Sequence, residues 1–190
     1  MPSALPCFLQ ARATASKAAL EGERIMREHL AGSVASMSES EALGYEATRV
    51  CGLGLAVRLA VRPDASERER RAALDALVRS RARVLDAQLV RAGAPRVEIG
   101  LDDVRRGLPV GSVLVSILRC EDEPVPFAKR ARYVAFITRA GSDSVAACDL
   151  GPAATLDSLV ARWRLEMLSV SGGPGAERAA RALGERLRRR

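Results

Sequence analysis

The stretch LPVGSVLVSILRCEDEPVPF at 108–127, followed at 131–164 by ARYVAFITRAGSDSVAACDLGPAATLDSLVARWR, decides the fold of this chain. Three of its segments are rich in the branched apolar and aromatic residues that favour β-strands. The turn sequence Ala140–Asp143 lies between the last two segments, which predicts that they form a hairpin. We therefore predict a small sheet with strands at Ser112–Arg119, Tyr133–Arg139 and Ser144–Asp149.

The first predicted strand is apolar on both of its faces. Val113, Val115 and Ile117 share one face, and Leu114 and Leu118 share the other, because side chains alternate along a strand. This pattern is typical of a central strand that is covered on both sides. Left at an edge of the sheet, the same strand would be an aggregation hazard, so we expect the isolated chain to self-associate or to gain stability when a missing downstream half is supplied.

Short elements are predicted on both sides of these strands. Val97–Ile99 is a candidate short strand and Leu101–Leu108 a short helix, and the turn Pro109–Gly111 separates this helix from the sheet. The polar segment Glu121–Arg132 predicts a loop between the first two strands. A helix from about Thr155 to Leu168 follows the sheet, and its predicted inner face consists of Leu156, Leu159, Val160, Trp163 and Met167.

The first half of the chain is predicted to be helical. Ala13–Met37 carries one broad apolar stripe. The pair Ser38 and Glu41 has the spacing of a capping box and predicts the start of a second helix. We extend this helix to about Arg62, although Leu53–Val61 also alternates as a strand would.

A second capping box, Ser66 with Glu69, opens the clearest helix of the chain. Gly93 and Pro95 are predicted to end it. Two pairs with acid four residues before base are expected to support it, Glu67–Arg71 and Asp75–Arg79. Its predicted inner face consists of Leu74, Leu77, Val78, Arg81, Leu85 and Leu89.

The order of motifs between Leu108 and Arg164 resembles the entry segment of a CHAT domain, the caspase-like peptidase domain that bacteria attach to helical repeat arrays. Members show a Leu-Pro-x-Gly-x-Val-Leu strand, a polar loop, a Tyr-x-Ala-Phe strand that ends in Arg, a turn, and an Asp-Leu-Gly-x-Ala segment that runs into a helix. Leu53–Ala87 also resembles the helices that precede such domains. The matching residues are Leu108, Pro109, Gly111, Val113, Leu114, Tyr133, Ala135, Phe136, Arg139, Asp149, Leu150, Gly151 and Ala153.

This resemblance implies an α+β or α/β fold, in which N-terminal helical hairpins are followed by a small sheet with flanking helices, as in the first part of a three-layer caspase-like fold. The implied organisation is a helical, repeat-like region at 1–94, the start of a caspase-like α/β domain at 95–170, and a glycine-rich linker with a basic tail helix at 171–190. The family's catalytic pair, a His before Gly and a Cys in a Ser-Ala-Cys turn, comes later than the segments matched here. The resemblance therefore implies that the catalytic half is absent from this chain.

No residue is predicted to be catalytic, to bind a cofactor or to bind a metal. His29 is the only histidine and lies within a predicted helix, so we interpret it as a solvated residue. The paired Asp102 and Asp103 are interpreted as charges at a helix N-terminus, and Trp163 as a core residue. The glycine-rich segments 52–54 and 171–175 do not resemble a phosphate-binding loop. The four cysteines, which have no metal-ligand spacing, are predicted to be free thiols: Cys7, Cys51, Cys120 and Cys148.

Charge and composition bear on location and partners. The net charge is +7, and the last 15 residues carry six arginines against two glutamates. Such a tail could contact nucleic acid, but no aromatic residue interleaves with it, so a nucleic-acid partner is not expected. The excess of Arg and Ala is typical of a high-GC bacterial sequence. Free cysteines favour the cytoplasm, and the absence of a long uncharged apolar stretch argues against a membrane span.

Three functions remain as hypotheses from the sequence. The first is a non-catalytic N-terminal portion of a CHAT-type caspase-like cysteine peptidase, which acts as a scaffold or partner for the catalytic half. The second is a stand-alone helical module that binds another protein. The third, which the sequence favours least, is a nucleic-acid binder with a basic tail. The first hypothesis predicts an exposed apolar sheet edge after Asp149, whereas the second predicts a closed and monodisperse fold.

Overall fold

A computed structural model gives the fold of the chain. It describes residues 5–33, 37, 38, 40–42, 44, 52–81, 89–93, 95, 97–121, 131–168, 178, 181, 182 and 184–186. Among these residues, no helix is both long enough and apolar enough to cross a membrane. The predictions for Cys51, the linker at 171–175 and most of the loop after Glu121 lie outside the described residues.

The described residues combine helices with a small three-stranded antiparallel sheet, which is an α+β arrangement. The helices before the sheet are α1 at Leu5–Ser33, α2 at Leu53–Ala60, α3 at Glu67–Ser80 and α4 at Leu101–Gly107. The strands are β1 at Val113–Glu121, β2 at Ala131–Arg139 and β3 at Val145–Pro152, and helix α5 follows at Ala153–Leu168.

The chain divides into two compact units. The first comprises Met1–Leu114 together with Ile137–Ala146, and the second comprises Val115–Phe136 together with Ala147–Arg190. The first unit therefore contains α1 to α4 and the β2–β3 turn. The second contains α5 and the greater part of the three strands.

Helix α1 begins eight residues earlier than the predicted Ala13, at Leu5, and ends at Ser33 rather than Met37. Proline at position 6 is compatible with this start, because the first turn of a helix does not need its N–H group. At the other end, the Ser33 hydroxyl donates to the His29 carbonyl at 2.9 Å. This bond competes with the continuing helix for a backbone acceptor, next to the helix-weakening Gly32.

The ambiguity at 53–61 is resolved in favour of a helix, as predicted. Helix α2 occupies Leu53–Ala60, with Gly52 before it and Val61 after it. The predicted capping box that precedes this region is also present. The Glu41 N–H donates to the Ser38 hydroxyl at 3.4 Å, and the Ser38 N–H donates to the Glu41 carboxylate at 2.8 Å.

Helix α3 opens on the predicted capping box, in which Ser66 and Glu69 bond each other's backbone N–H groups. The prediction that this helix continues to Leu89 is wrong, because it ends at Ser80 and Arg81 has extended backbone. The Ser80 hydroxyl donates to the Leu77 carbonyl at 2.8 Å, and the Arg81 N–H bonds Val78 in a tightened last turn. Both bonds use acceptors that a longer α-helix would need for its own ladder.

The predicted inner face of α3 is therefore only half correct. Leu74 and Leu77 are buried, but Arg81 and Leu89 are exposed, and Leu85 lies outside the described residues. The predicted Asp75–Arg79 pair forms at 2.7 Å. The predicted Glu67–Arg71 pair is replaced by longer-range contacts, since Glu67 accepts the Val145 N–H and Arg71 bonds two aspartates.

The core of the first unit lies where α1, α2 and α3 pack against one another. Gly52 brings two of these helices close together: a Cβ atom at this position would lie 2.1 Å from the Ala19 carbonyl oxygen of α1. On α1, Arg12 bonds Asp64 and Glu69 at the start of α3. Each of the three helices contributes buried apolar side chains, among them Leu30, Leu53, Ala56, Val57, Ala73, Leu74 and Leu77.

The segment before α4 is not the strand that the sequence predicts. Residues 97–99 have no regular secondary structure, and Val97 and Ile99 are exposed. Between them, Glu98 contacts the guanidinium groups of Arg27 and Arg79, each at 3.2 Å. The segment is held by these ion pairs rather than by a neighbouring strand.

The order of the strands is β1–β2–β3, so β2 is central and β1 lies at an edge. The first strand, whose apolar pattern is typical of a central strand, therefore lies at an edge, where the sequence predicts an aggregation hazard. The turn Pro109–Gly111 and the hairpin turn after Arg139 form as predicted, with positive φ at Gly111 and Gly141. On the central strand, Val134, Phe136 and Thr138 are almost fully buried.

Helix α5 forms as predicted and packs on the sheet within the second unit. Leu156 lies in a buried cluster with Ala135 and Leu150, and Tyr133 and Cys148 pack against that cluster. The predicted inner face is correct at its first residue but not at its last. Trp163 is half-buried, and Met167 is exposed.

Candidate functional site

In a sheet of order β1–β2–β3, both β1 and β3 lie at edges. The large exposed apolar residues lie on β1 and not after Asp149 as predicted, because Leu150 and Ala153 are buried. On β1, Ser116 and Cys120 are buried, whereas Val115 and Ile117 are 53% and 47% exposed. Among the described residues, β2 is the only strand that pairs with β1. We use the name "β1 edge" for the free side of Val115–Glu121 together with its exposed side chains Val115, Ile117, Arg119 and Glu121.

The exposed side chains of the β1 edge lie on the same face of the sheet as α5. This follows from Asp157 of α5, which accepts a hydrogen bond from the Tyr133 hydroxyl of β2 at 2.7 Å and lies 4.0 Å from the Arg119 guanidinium of β1. Val115 and Ile117 share the face of Arg119 because they stand at alternate positions of one strand. Helix α5 packs over β2 and β3 and leaves this part of the face uncovered.

Charged groups border the apolar part of the β1 edge. Arg119 contacts Glu121 at 3.2 Å as well as Asp157. The hydrogen bond to Asp157 raises the pKa of Tyr133, and partial burial acts in the same direction. Tyr133 is therefore a neutral donor at physiological pH. The site is an apolar strip with a compensated charge cluster at one end, which suits protein contact rather than catalysis.

The Asp-Leu-Gly motif forms the turn that connects β3 to α5. The Asp149 carboxylate accepts the Gly151 N–H at 2.7 Å and also bonds the Arg132 guanidinium at 2.9 Å. Gly151 has a φ of 96°, a left-handed conformation that favours glycine. The Asp-Leu-Gly residues therefore have a structural role, because they end strand β3 and form the turn into helix α5.

A second polar cluster lies in the first unit, at the β2–β3 turn. Asp143 accepts bonds from Arg105 at 2.9 Å and from Arg71 at 3.3 Å. Arg71 also contacts Asp102 at 2.6 Å. The side chain of Arg105 is buried. The cluster ties the hairpin turn to α3 and α4, and its two guanidinium groups are already bonded to carboxylates.

This cluster predicts that the protein loses stability in acid. Hydrogen bonds from Arg105 and then Arg71 lower the pKa of Asp143 below the usual value of about 3.9. A lowered folded-state pKa stabilises the fold above the unfolded-state value, and this contribution is lost as the pH falls through the folded-state value. The Asp143→Asn variant should therefore show a smaller difference between urea midpoints at neutral pH and at about pH 3.

The matched control for this measurement is Glu185→Gln, which removes one carboxylate from the tail. It should keep the acid dependence of the unaltered chain. An Asp143→Asn variant whose two midpoints differ as much as those of the unaltered chain would contradict the assignment.

Of the residue types that a catalytic Cys–His pair requires, the structure describes the side chains of His29, Cys120 and Cys148. His29 is exposed on α1, and the ring contact that the structure gives it is Ser33 Oγ at 3.4 Å. Cys120 and Cys148 form no disulfide, as predicted, and β2 lies between their strands. Burial raises the pKa of Cys148, so this thiol is protonated at neutral pH and is a weak nucleophile. The side chain of Cys7 lies outside the described residues.

The other residues that the sequence singled out have structural roles. Asp103 caps α4 by accepting the Gly100 N–H at 2.9 Å, and Asp102 pairs with Arg71. Within the described ranges, no group of three or more histidine, cysteine, aspartate or glutamate residues could hold a metal ion.

Sequence reasoning missed the exposed face of β1, although a signal was present. Arg119 and Glu121 occupy the same alternate positions as Val115 and Ile117, whereas Ser116, Leu118 and Cys120 occupy the others. Two charged residues at alternate positions indicate that this face of the strand is exposed to solvent. The prediction gave more weight to the apolar residues Val115 and Ile117 than to these two charged residues.

Comparisons with known proteins give no family for this chain: no family model, no curated protein and no solved structure matches it.

Proposed function

We propose that this chain is the non-catalytic N-terminal portion of a CHAT-type caspase-like cysteine peptidase and serves as a scaffold for the catalytic half. The observation that carries the proposal is the β1 edge. Val115 and Ile117 are exposed on a face that α5 covers only over β2 and β3. In this proposal, a strand of the catalytic half pairs with β1, and its side chains cover these two residues.

The order of motifs also supports the proposal. The Leu-Pro-x-Gly turn leads into β1, the Tyr-x-Ala-Phe segment forms β2, and the Asp-Leu-Gly turn leads into α5. Each motif that prompted the resemblance thus begins, forms or ends an element of the sheet. Docking of a complete half should bury about 2,000 Å² or more, as obligate interfaces do.

The test begins with the DNA downstream of codon 190. The proposal expects an open frame that encodes a strand, a His-Gly pair and a Ser-Ala-Cys turn. The encoded half, when co-expressed, should co-purify with this chain and raise its melting temperature. Ile117→Lys should abolish the complex, since it places an ammonium group in the apolar contact. Leu165→Lys, which alters an exposed apolar residue of α5, should not.

The purified chain should have no peptidase activity, because a thiolate needs an adjacent base and His29 contacts Ser33 instead. It should not cleave peptides or react stoichiometrically with a thiol-directed peptide electrophile. Stoichiometric reaction that disappears in His29→Ala would overturn the non-catalytic assignment.

A second candidate function is a stand-alone module that binds another protein through the first unit. It is favoured by exposed apolar residues between α3 and α4, namely Leu89, Val90, Val97 and Ile99. This candidate predicts a chain that melts cooperatively on its own and does not respond to a co-expressed catalytic half. The same melting experiment therefore separates the two functions.

A further inference from the structure

We propose that a second copy of this chain pairs with the β1 edge in antiparallel orientation, centred on Ser116, and so forms a weak and reversible twofold dimer. The inference concerns the same edge as the proposed function. It needs only the free strand and not the resemblance to caspase-like proteins.

The β1 edge has few of the features that normally prevent strands from pairing. Exposed edge strands are commonly protected by proline, by lysine or by charges that point inwards. Strand β1 contains neither proline nor lysine between Val113 and Glu121. Its two charged residues lie at the C-terminal end, and the preceding outward positions are valine and isoleucine. Among the strands that the structure describes, only β2 pairs with β1, so the outward backbone groups of residues 113–119 can pair with another strand.

The sequence of β1 is complementary to itself in one register. In an antiparallel pair centred on Ser116, Val115 of one copy stands opposite Ile117 of the other, and Leu114 stands opposite Leu118. Apolar residues thus meet apolar residues on both faces of the new pair, and Ser116 meets its own equivalent. Such cross-strand pairs are the units that stabilise a sheet. The register keeps residues 113–119 of both strands paired.

Neighbouring registers match less well. Centring the pair on Ile117 places Arg119 opposite Val115 and Ser116 opposite Leu118. Centring it on Arg119 places two guanidinium groups opposite each other, and like charges in this position destabilise a sheet. In the Ser116-centred register, Arg119 stands opposite Val113 and keeps its contacts to Glu121 and Asp157. No charge is then left without its partner.

The size of the contact sets the strength of the dimer. Pairing along seven residues of one strand buries less surface than the roughly 1,200 Å² at which stable interfaces begin. We therefore expect a dissociation constant weaker than about 1 μM. A dimer of this strength would cover the β1 edge only at high protein concentration. A partner that buries a larger surface on the same edge would displace the second copy.

Sedimentation equilibrium of the full chain over a range of concentrations tests the association. The unaltered chain and Leu165→Lys should show a concentration-dependent dimer. Ile117→Lys should remain monomeric at the same concentrations, with its melting curve checked to show that it folds. A chain that stays monomeric up to the highest attainable concentration, or an Ile117→Lys variant that dimerises as well as the unaltered chain, would overturn the proposal.

Disulfide cross-linking tests the register. In a background without the four native cysteines, Ser116→Cys should form a covalent dimer on oxidation, because opposed Cα atoms of paired strands lie about 4.5–5.5 Å apart, within disulfide range. Leu118→Cys should not, since the two copies of residue 118 would be four residues out of register. Cross-linking of Leu118→Cys alone would overturn the Ser116-centred pairing. Failure of either experiment leaves co-purification of the catalytic half, the test of the proposed function, unaffected.

Discussion

Replacing Gly52 with alanine is expected to lower the free energy of unfolding by about 3 kcal/mol, at the upper end of the range for overpacked sites. The new Cβ atom would lie 2.1 Å from the Ala19 carbonyl oxygen and 2.9 Å from its carbonyl carbon. These are backbone atoms of α1, so no side-chain rotation can relieve the overlap. The two helices must separate, which loosens the packing between α1 and α2 next to Ala19. Urea unfolding followed by circular dichroism measures the loss.

Gly54 provides the matched control, two residues further along in α2. A Cβ atom there would have no neighbour within 4 Å, and alanine is the better helix former. Gly54→Ala should therefore raise stability by about 0.5–1 kcal/mol. Opposite signs for the two substitutions are the expected outcome. If Gly52→Ala behaved like Gly54→Ala, the close approach of α1 and α2 would be disproved.

Local structure could be predicted from the sequence where neighbours along the chain determine it. Both capping boxes form as the spacing of Ser38 with Glu41 and of Ser66 with Glu69 indicates. The Asp75–Arg79 pair also forms. Each of these interactions lies within one helical turn, where spacing alone sets the geometry.

Long-range partners could not be predicted in this way. The sequence gives Glu67 and Arg71 the spacing of a helical ion pair, yet in the fold Glu67 accepts the Val145 N–H and Arg71 bonds Asp143. Gly52 shows the same limit, because its contact with Ala19 depends on how two helices cross. Nothing local distinguishes a glycine that is needed from one that is tolerated, as Gly54 is.

The order of the strands could not be predicted from the apolar pattern. A strand with apolar residues on both faces can be central, or it can lie at an edge with one face open, and alternation does not separate the two. Strand β1 has an open edge because β2 lies between β1 and β3. This order is set by contacts between distant parts of the chain. From the sequence, the β1 edge could therefore be predicted only as the aggregation hazard that arises if this strand lies at an edge of the sheet.

Phe136→Ala on β2 is expected to cost about 3–5 kcal/mol, as large-to-small changes at fully buried aromatic positions do. The side chain of Phe136 is 0% exposed, so its removal leaves a cavity against the face of the central strand from which it projects. Ile117→Ala on β1 is the matched control at an outward position, and it should change the free energy of unfolding by less than about 1 kcal/mol. Thermal and urea unfolding of both variants gives the two values.

The difference between these two losses shows whether the outward face of β1 is exposed, and both proposals depend on that exposure. A buried Phe136 makes the first substitution costly, whereas an exposed Ile117 remains available to a partner strand. If Ile117→Ala cost as much as Phe136→Ala, the outward face of β1 would be covered in the folded chain, as the sequence pattern alone suggested. There would then be no β1 edge for a catalytic half or a second copy to pair with. Both proposals therefore require that Phe136→Ala lowers the free energy of unfolding by a large amount and that Ile117→Ala lowers it by a small amount.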